Sequence, residues 1–166
     1  MGPALWRHRA WIACTLDWGG RRRAVMSGRT WTELFFHDEA VALAAGHRPC
    51  AYCRRADWRR WSDAWADAHG PARAPEMDAA LHAARAVPGA RAMRRGRTDD
   101  VATLPDGAFV LWAGVAHLVW EGALLPWAPG GYGPPRALPR GAGAAVLTPA
   151  PTLGVLRAGY AVAPRR

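Results

Sequence analysis

The pair Cys50 and Cys53, set directly behind Gly46-His47-Arg48-Pro49, constrains this chain more than any other feature. A Cys-x-x-Cys turn lets two thiolates reach one ion from a single loop, which supplies half of a tetrahedral zinc site. The same spacing serves thioredoxin-like redox pairs, and two such cysteines can also be small core residues. Redox pairs normally open a helix after a strand. Here the pair follows an Ala-rich segment and a rigid Arg-Pro, so the reading favours metal.

The chain has three cysteines, an odd number that makes no disulfide framework. Cys14, on an apolar stretch that reads as a strand, is the candidate third ligand; its alternative is a small buried hydrophobe. The fourth place falls to a histidine, a carboxylate or water, and the reading leans to His8, near Cys14 in the sequence. His37, at a helix start, and His47, just before Cys50, are the other histidines in reach, and a water there would leave the site open and fit for catalysis.

The stretch Phe35-Phe36-His37-Asp38-Glu39 through Gly46-His47-Arg48-Pro49-Cys50-Ala51-Tyr52-Cys53 resembles the second half of the metal-binding domain of the Ada DNA-repair proteins. In that family a strand ending in two aromatics leads into a short Ala-rich helix and a Gly-x-Arg-Pro-Cys-x-x-Cys turn. Gly46, Arg48, Pro49, Cys50 and Cys53 match. Zinc modules attached to some secreted and phage nucleases are similar, and the rest of the chain resembles only bacterial proteins of uncharacterised function. The resemblance covers residues 35–55 and implies zinc as cofactor and DNA as partner, with Arg48 either facing phosphate or bracing the turn. The family carries a further upstream Cys-x-x-x-Cys, one of whose cysteines accepts a methyl group from a phosphotriester. Only Cys14 stands upstream here, so that activity is not carried over.

A net charge of +9 and a pI near 11.1 point the same way, since a basic domain is drawn to phosphate backbones. Every one of the 22 basic residues is arginine, whose planar fork bonds two phosphate oxygens at once. Arg54 and Arg55 follow the cysteine pair and extend toward Arg59 and Arg60 as a basic edge; Arg48, Arg54, Arg55 and Arg59 are the candidate nucleic-acid contacts. A solvated basic surface, enriched in arginine by a GC-rich genome, is the plainer alternative.

At 166 residues the chain buries roughly 68–70% of its unfolded surface, so metal is not needed merely to make folding possible. No apolar run is long enough to span a membrane, and the N-terminus lacks a signal-peptide pattern. The expectation is a reducing cytoplasm, where a Cys-x-x-Cys is a metal site more often than a disulfide.

Residues 9–18, Gly19-Gly20 and residues 21–26 read as a β-hairpin, with a third strand over residues 31–36. Asp38-Glu39 opens a short helix that Gly46 ends. A second helix is expected over residues 57–68, with Trp58, Trp61 and Trp65 on one stripe that suits a core better than a base-stacking surface. A third is expected over residues 75–87, its buried side made by Met77, Leu81 and Ala84. Asp78 and His82 share a face of that helix and, with Glu76, read as surface pairing rather than acid–base machinery. Residues 90–100 read as an exposed Arg-rich loop. Runs at 109–112, 117–120 and 123–127 suggest an antiparallel meander, with His117 as a core histidine. A Pro/Gly-rich loop over 126–143, a strand at 144–148 and a helix at 152–158 close the chain.

The sequence therefore predicts an α+β protein. A zinc-binding module with following helices spans residues 1–88 and a small antiparallel β module spans 101–166, the two able to form one continuous domain. The function expected is nucleic-acid binding around a structural zinc. The alternatives are a nucleic-acid-acting enzyme, with an open metal site or a reactive Cys14, and a zinc module that binds a protein partner.

Overall fold

A computed structural model describes residues 6–20, 33–90, 92–94, 96–139 and 141–165. Among these residues the fold is α+β, with four helices, a two-stranded parallel sheet and a seven-stranded antiparallel sheet. The first strand, β1 (Ile12–Ala13), precedes α1 (Glu39–Ala44), β2 (Arg48–Pro49), α2 (Arg55–His69) and α3 (Ala74–Arg85). The second half runs β3 (Thr98–Asp100), β4 (Phe109–Trp112), β5 (Val115–Trp120), β6 (Ala123–Ala128), β7 (Gly131–Tyr132), β8 (Arg136–Ala137), β9 (Gly143–Val146) and α4 (Ala150–Arg157).

Local chemistry explains the helix ends. Asp38 caps α1 by accepting from the Val41 amide at 2.9 Å. At the other end Gly46 adopts φ +87°, its amide bonded to Leu43 O and that of His47 to Ala42 O, both at 2.9 Å. This is a left-handed glycine closure, and it turns the chain sharply into β2. Pro75 lies in the first turn of α3, where a missing amide hydrogen costs nothing, and the Glu76 carboxylate accepts from the Arg73 amide at 2.6 Å.

The large sheet has the order β3-β9-β4-β5-β6-β7, with β8 also paired to β6. The β4–β5 and β5–β6 hairpins turn at Ala113-Gly114 and Glu121-Gly122, all four residues with positive φ. That is the signature of tight turns whose twist suits antiparallel strands. One apolar cluster joins Leu43, Trp61, Trp65, Met77 and Leu81 to Phe109, Leu118, Val155 and Tyr160, so helices and sheet share a core. A second, led by Val101, Val110, Val119, Val146 and Leu153, lies between the sheet and α4.

Several expectations are corrected. Ile12–Ala13 pairs in parallel with Arg48–Pro49, a pairing not expected; the second arm of the expected hairpin, at 21–26, lies outside the described residues. The predicted strand at 31–36 is not formed at 33–36, and its first two residues also lie outside them. The Arg-rich loop ends in strand β3, paired to β9, because Thr98 and Asp99 supply edge backbone groups that β9 would otherwise leave open. The tryptophan stripe of α2 is core: Trp61 and Trp65 are buried and Trp58 packs against them.

Candidate metal centre

The parallel pairing of β1 with β2 assembles the site. Arg48 donates its amide to Trp11 O and Cys50 donates to Ala13 O, both at 3.0 Å. Ala13 stands opposite Pro49, so the next residues along each strand, Cys14 and Cys50, are neighbours. The chain then turns, Arg54 donating its amide to Cys50 O at 3.1 Å, and brings Cys53 round to the start of α2. The Sγ atoms of Cys14, Cys50 and Cys53 lie within 4.8 Å of one another. In a tetrahedral zinc site with Zn–S near 2.3 Å, sulfur atoms stand about 3.8 Å apart. Small side-chain adjustments close the difference.

The sulfurs already receive the contacts that thiolates take. Thr15 donates its amide to Cys53 Sγ and Tyr52 to Cys50 Sγ, each at 3.4 Å. Burial works against ionisation of Cys50, but backbone donors from Cys53 and Tyr52 outweigh it and hold the thiol below its ordinary value. Cys14 is pushed up to about 12, first by desolvation of its sulfur and then by the negative charge of Cys50 and Cys53. The residue as a whole is exposed, but that sulfur rests against the other two. Three crowded thiolates repel unless a cation stands among them, and a divalent ion reverses that repulsion.

His8 does not join the group. It is exposed, and its backbone carbonyl accepts from the Trp11 indole at 3.2 Å. His37 reaches the Arg165 carbonyl at 3.1 Å, and His47 packs between Phe36 and Trp11, its pKa lowered to about 4 by burial. Residues 1–5, 21–32, 91, 95, 140 and 166 include no Cys, His, Asp or Glu. Among the described residues the cluster is therefore a trio of cysteines, with no fourth protein ligand within the same reach. The place of the pair in the chain also differs from the expectation: Cys50 and Cys53 do stand between a short strand and a helix start. What sets them apart from a two-cysteine redox motif is the third sulfur.

The candidate phosphate contacts divide. Arg48 is 3% exposed and forms a bidentate pair with Asp78 at 2.7 and 2.9 Å, with its guanidinium 4.7 Å from the Trp58 ring centre. Its Nη1 also donates to Pro49 O at 3.1 Å, so it braces the cysteine loop and faces no solvent. Arg54 is held by Glu39 at 2.7 Å and Asp57 at 2.8 Å. Tyr160 donates its hydroxyl to the same Glu39 at 2.7 Å. Arg55 and Arg59, on the exposed side of α2, remain open to a partner.

Asp78 is the site residue that sequence reasoning misplaced. It is buried and paired to Arg48, not a surface partner of His82. The signal was present: Asp78 sits between Met77 and Leu81 on the buried side of α3, where a carboxylate needs a cation. His82 packs edge-on against Trp6 and Trp11. His117 is a core residue, 1% exposed, with Nδ1 2.9 Å from Val115 O.

No protein-family model, curated protein or solved structure matches this chain. Its likeness to the Ada-type domain therefore rests on the motif alone.

Proposed function

We propose that Cys14, Cys50 and Cys53 hold a zinc ion that fixes the basic start of α2 for binding nucleic acid. The observation that carries the metal is that three sulfurs, from the ends of two paired strands and the turn before α2, lie within 4.8 Å of one another. Thiolates select zinc over the hard cations, and the backbone N–H donors at the sulfurs spread their charge. Zinc here ties the N-terminal strand to the loop before α2 and so pins Arg55 and Arg59 beside it. The Gly46-to-Cys53 motif agrees with this reading.

Binding of a phosphate backbone through Arg55 and Arg59 is tested by fluorescence anisotropy with a labelled DNA strand across a salt series. Log affinity should fall linearly with log salt, and Arg55→Gln and Arg59→Gln should each lessen the slope by about 1. Absence of binding at low salt, or slopes unmoved by both variants, would remove the nucleic-acid role and leave a zinc module for a protein partner.

The count of three protein ligands favours one second reading, metal-assisted hydrolysis of a phosphodiester, because catalytic zinc keeps three protein ligands and a water. Metal-dependent cleavage of the same labelled strand distinguishes it from binding alone.

A further inference from the structure

A second feature stands apart from the cysteines. A cavity of about 170 Å³ opens between the C-terminal end of α3, the residues Arg94, Gly96 and Arg97, the exit of β9 and the first turn of α4. Arg85, Arg94 and Arg97 line it together with Thr148, Pro149 and Ala150, over an apolar floor that includes Leu153. No carboxylate lines it. We propose that this cavity binds a phosphoryl group.

The charge balance of the walls leads to that ligand. Arg97 is paired with Asp99, which leaves two of the three cations. Arg94 has its Nε engaged with Ala83 O at 2.8 Å, an uncharged partner, and forms no ion pair among the described residues. Arg85 forms no ion pair with any carboxylate among the described residues; its buried Nε, which packs beside Gly46, has no hydrogen-bond partner. Burial alone pulls its pKa down to about 10. Positive charge without a carboxylate beside it is costly in a partly buried wall, and an anion in the cavity lowers that cost.

The fourth wall adds to this. The residue before α4 is Pro149, so no side chain caps the helix, and the positive end of the dipole meets the cavity at Pro149 and Ala150. Thr148 is held in place by its Oγ1, which accepts from the Phe109 amide at 2.8 Å, so the floor is rigid. The volume lies below the roughly 300–1,000 Å³ of sites for drug-sized ligands and suits a small oxyanion rather than a whole nucleotide. Arginine forks match the tetrahedral oxygens of phosphate, whether free or at the end of a nucleic-acid strand.

The test is a titration of the isotope-labelled full chain, followed by amide NMR at constant ionic strength, with two probes. Inorganic phosphate and a 5′-phosphorylated trinucleotide are added separately, each compared with its control, chloride or the unphosphorylated trinucleotide. The expected result is saturable shifts at Ala150 and Thr152 with phosphate or with the phosphorylated strand, weakened at least tenfold in Arg94→Gln. Shifts with phosphate alone assign the cavity to the free ion; tighter binding of the phosphorylated strand assigns it to a strand end. Arg94 is exposed, so its substitution leaves the core intact. No saturable shift with either probe, shifts equal to the controls, or unchanged affinity in Arg94→Gln would overturn the proposal. The cysteines take no part in it, so it stands or falls separately from the metal.

Discussion

Arg48 and Asp78 show how much a single buried pair decides here. Both are almost fully covered, joined by two short hydrogen bonds, and the arginine reaches on to the Pro49 carbonyl next to Cys50. Removing one partner strands the other charge in a low-dielectric interior. Asp78→Asn should destabilise the fold by about 3–5 kcal/mol, measured by urea denaturation, whereas replacing both residues by apolar ones of similar volume should cost far less. A single variant as stable as the parent would mean that the pair does not brace the loop. The cysteine pair and Arg-Pro turn were legible in the sequence because their spacing carries its own chemistry. For Asp78 only the need of a cation was legible, from its place on the buried side of α3; its partner was not, because nothing local reports an arginine thirty positions away on another element.

At the scale of elements, the join between α1 and β2 controls whether Cys50 reaches Cys14. Gly46 holds φ +87°, and a Cβ there would lie 3.0 Å from Arg85 Cγ and 3.3 Å from the Trp11 ring. Gly46→Ala should therefore cost about 1–3 kcal/mol from strain and overpacking together, read from thermal or urea unfolding. A neutral result would show that the turn relaxes freely. Helices α1 to α4 were readable because caps, prolines and apolar stripes are local signals. The β1–β2 pairing was not, since two residues in each strand leave no alternation to read and the partner lies beyond α1. Strand β3 was hidden for a similar reason: its Thr-Asp-Asp sequence is a poor strand former rescued by pairing with β9.

At the scale of the molecule, the helices and the sheet depend on each other. Tyr160 and Val162 near the C-terminus pack in the cluster that holds Trp61 and Leu43, and Tyr160 also bonds Glu39. A fragment ending before β3 loses Phe109, Leu118, Leu125, Val155 and Tyr160 from that core. Residues 1–97 alone should fail to fold, seen as collapsed amide dispersion by NMR and no cooperative melt. A well-dispersed spectrum would instead support independent modules on either side of residues 89–100. Antiparallel β content in the second half was legible from its hairpin glycines, but a shared core depends on contacts between distant segments and leaves no local trace. Among the described residues no helix is long and apolar enough to cross a membrane.

Metal content per chain, measured by elemental analysis on protein purified under reducing conditions, bears most directly on the cysteine trio. One zinc per wild-type chain is predicted, with Cys14→Ser and Cys50→Ser each losing metal and stability together. Wild-type protein without metal, its three thiols freely titratable or Cys50 joined to Cys53 in a disulfide, would contradict the metal centre.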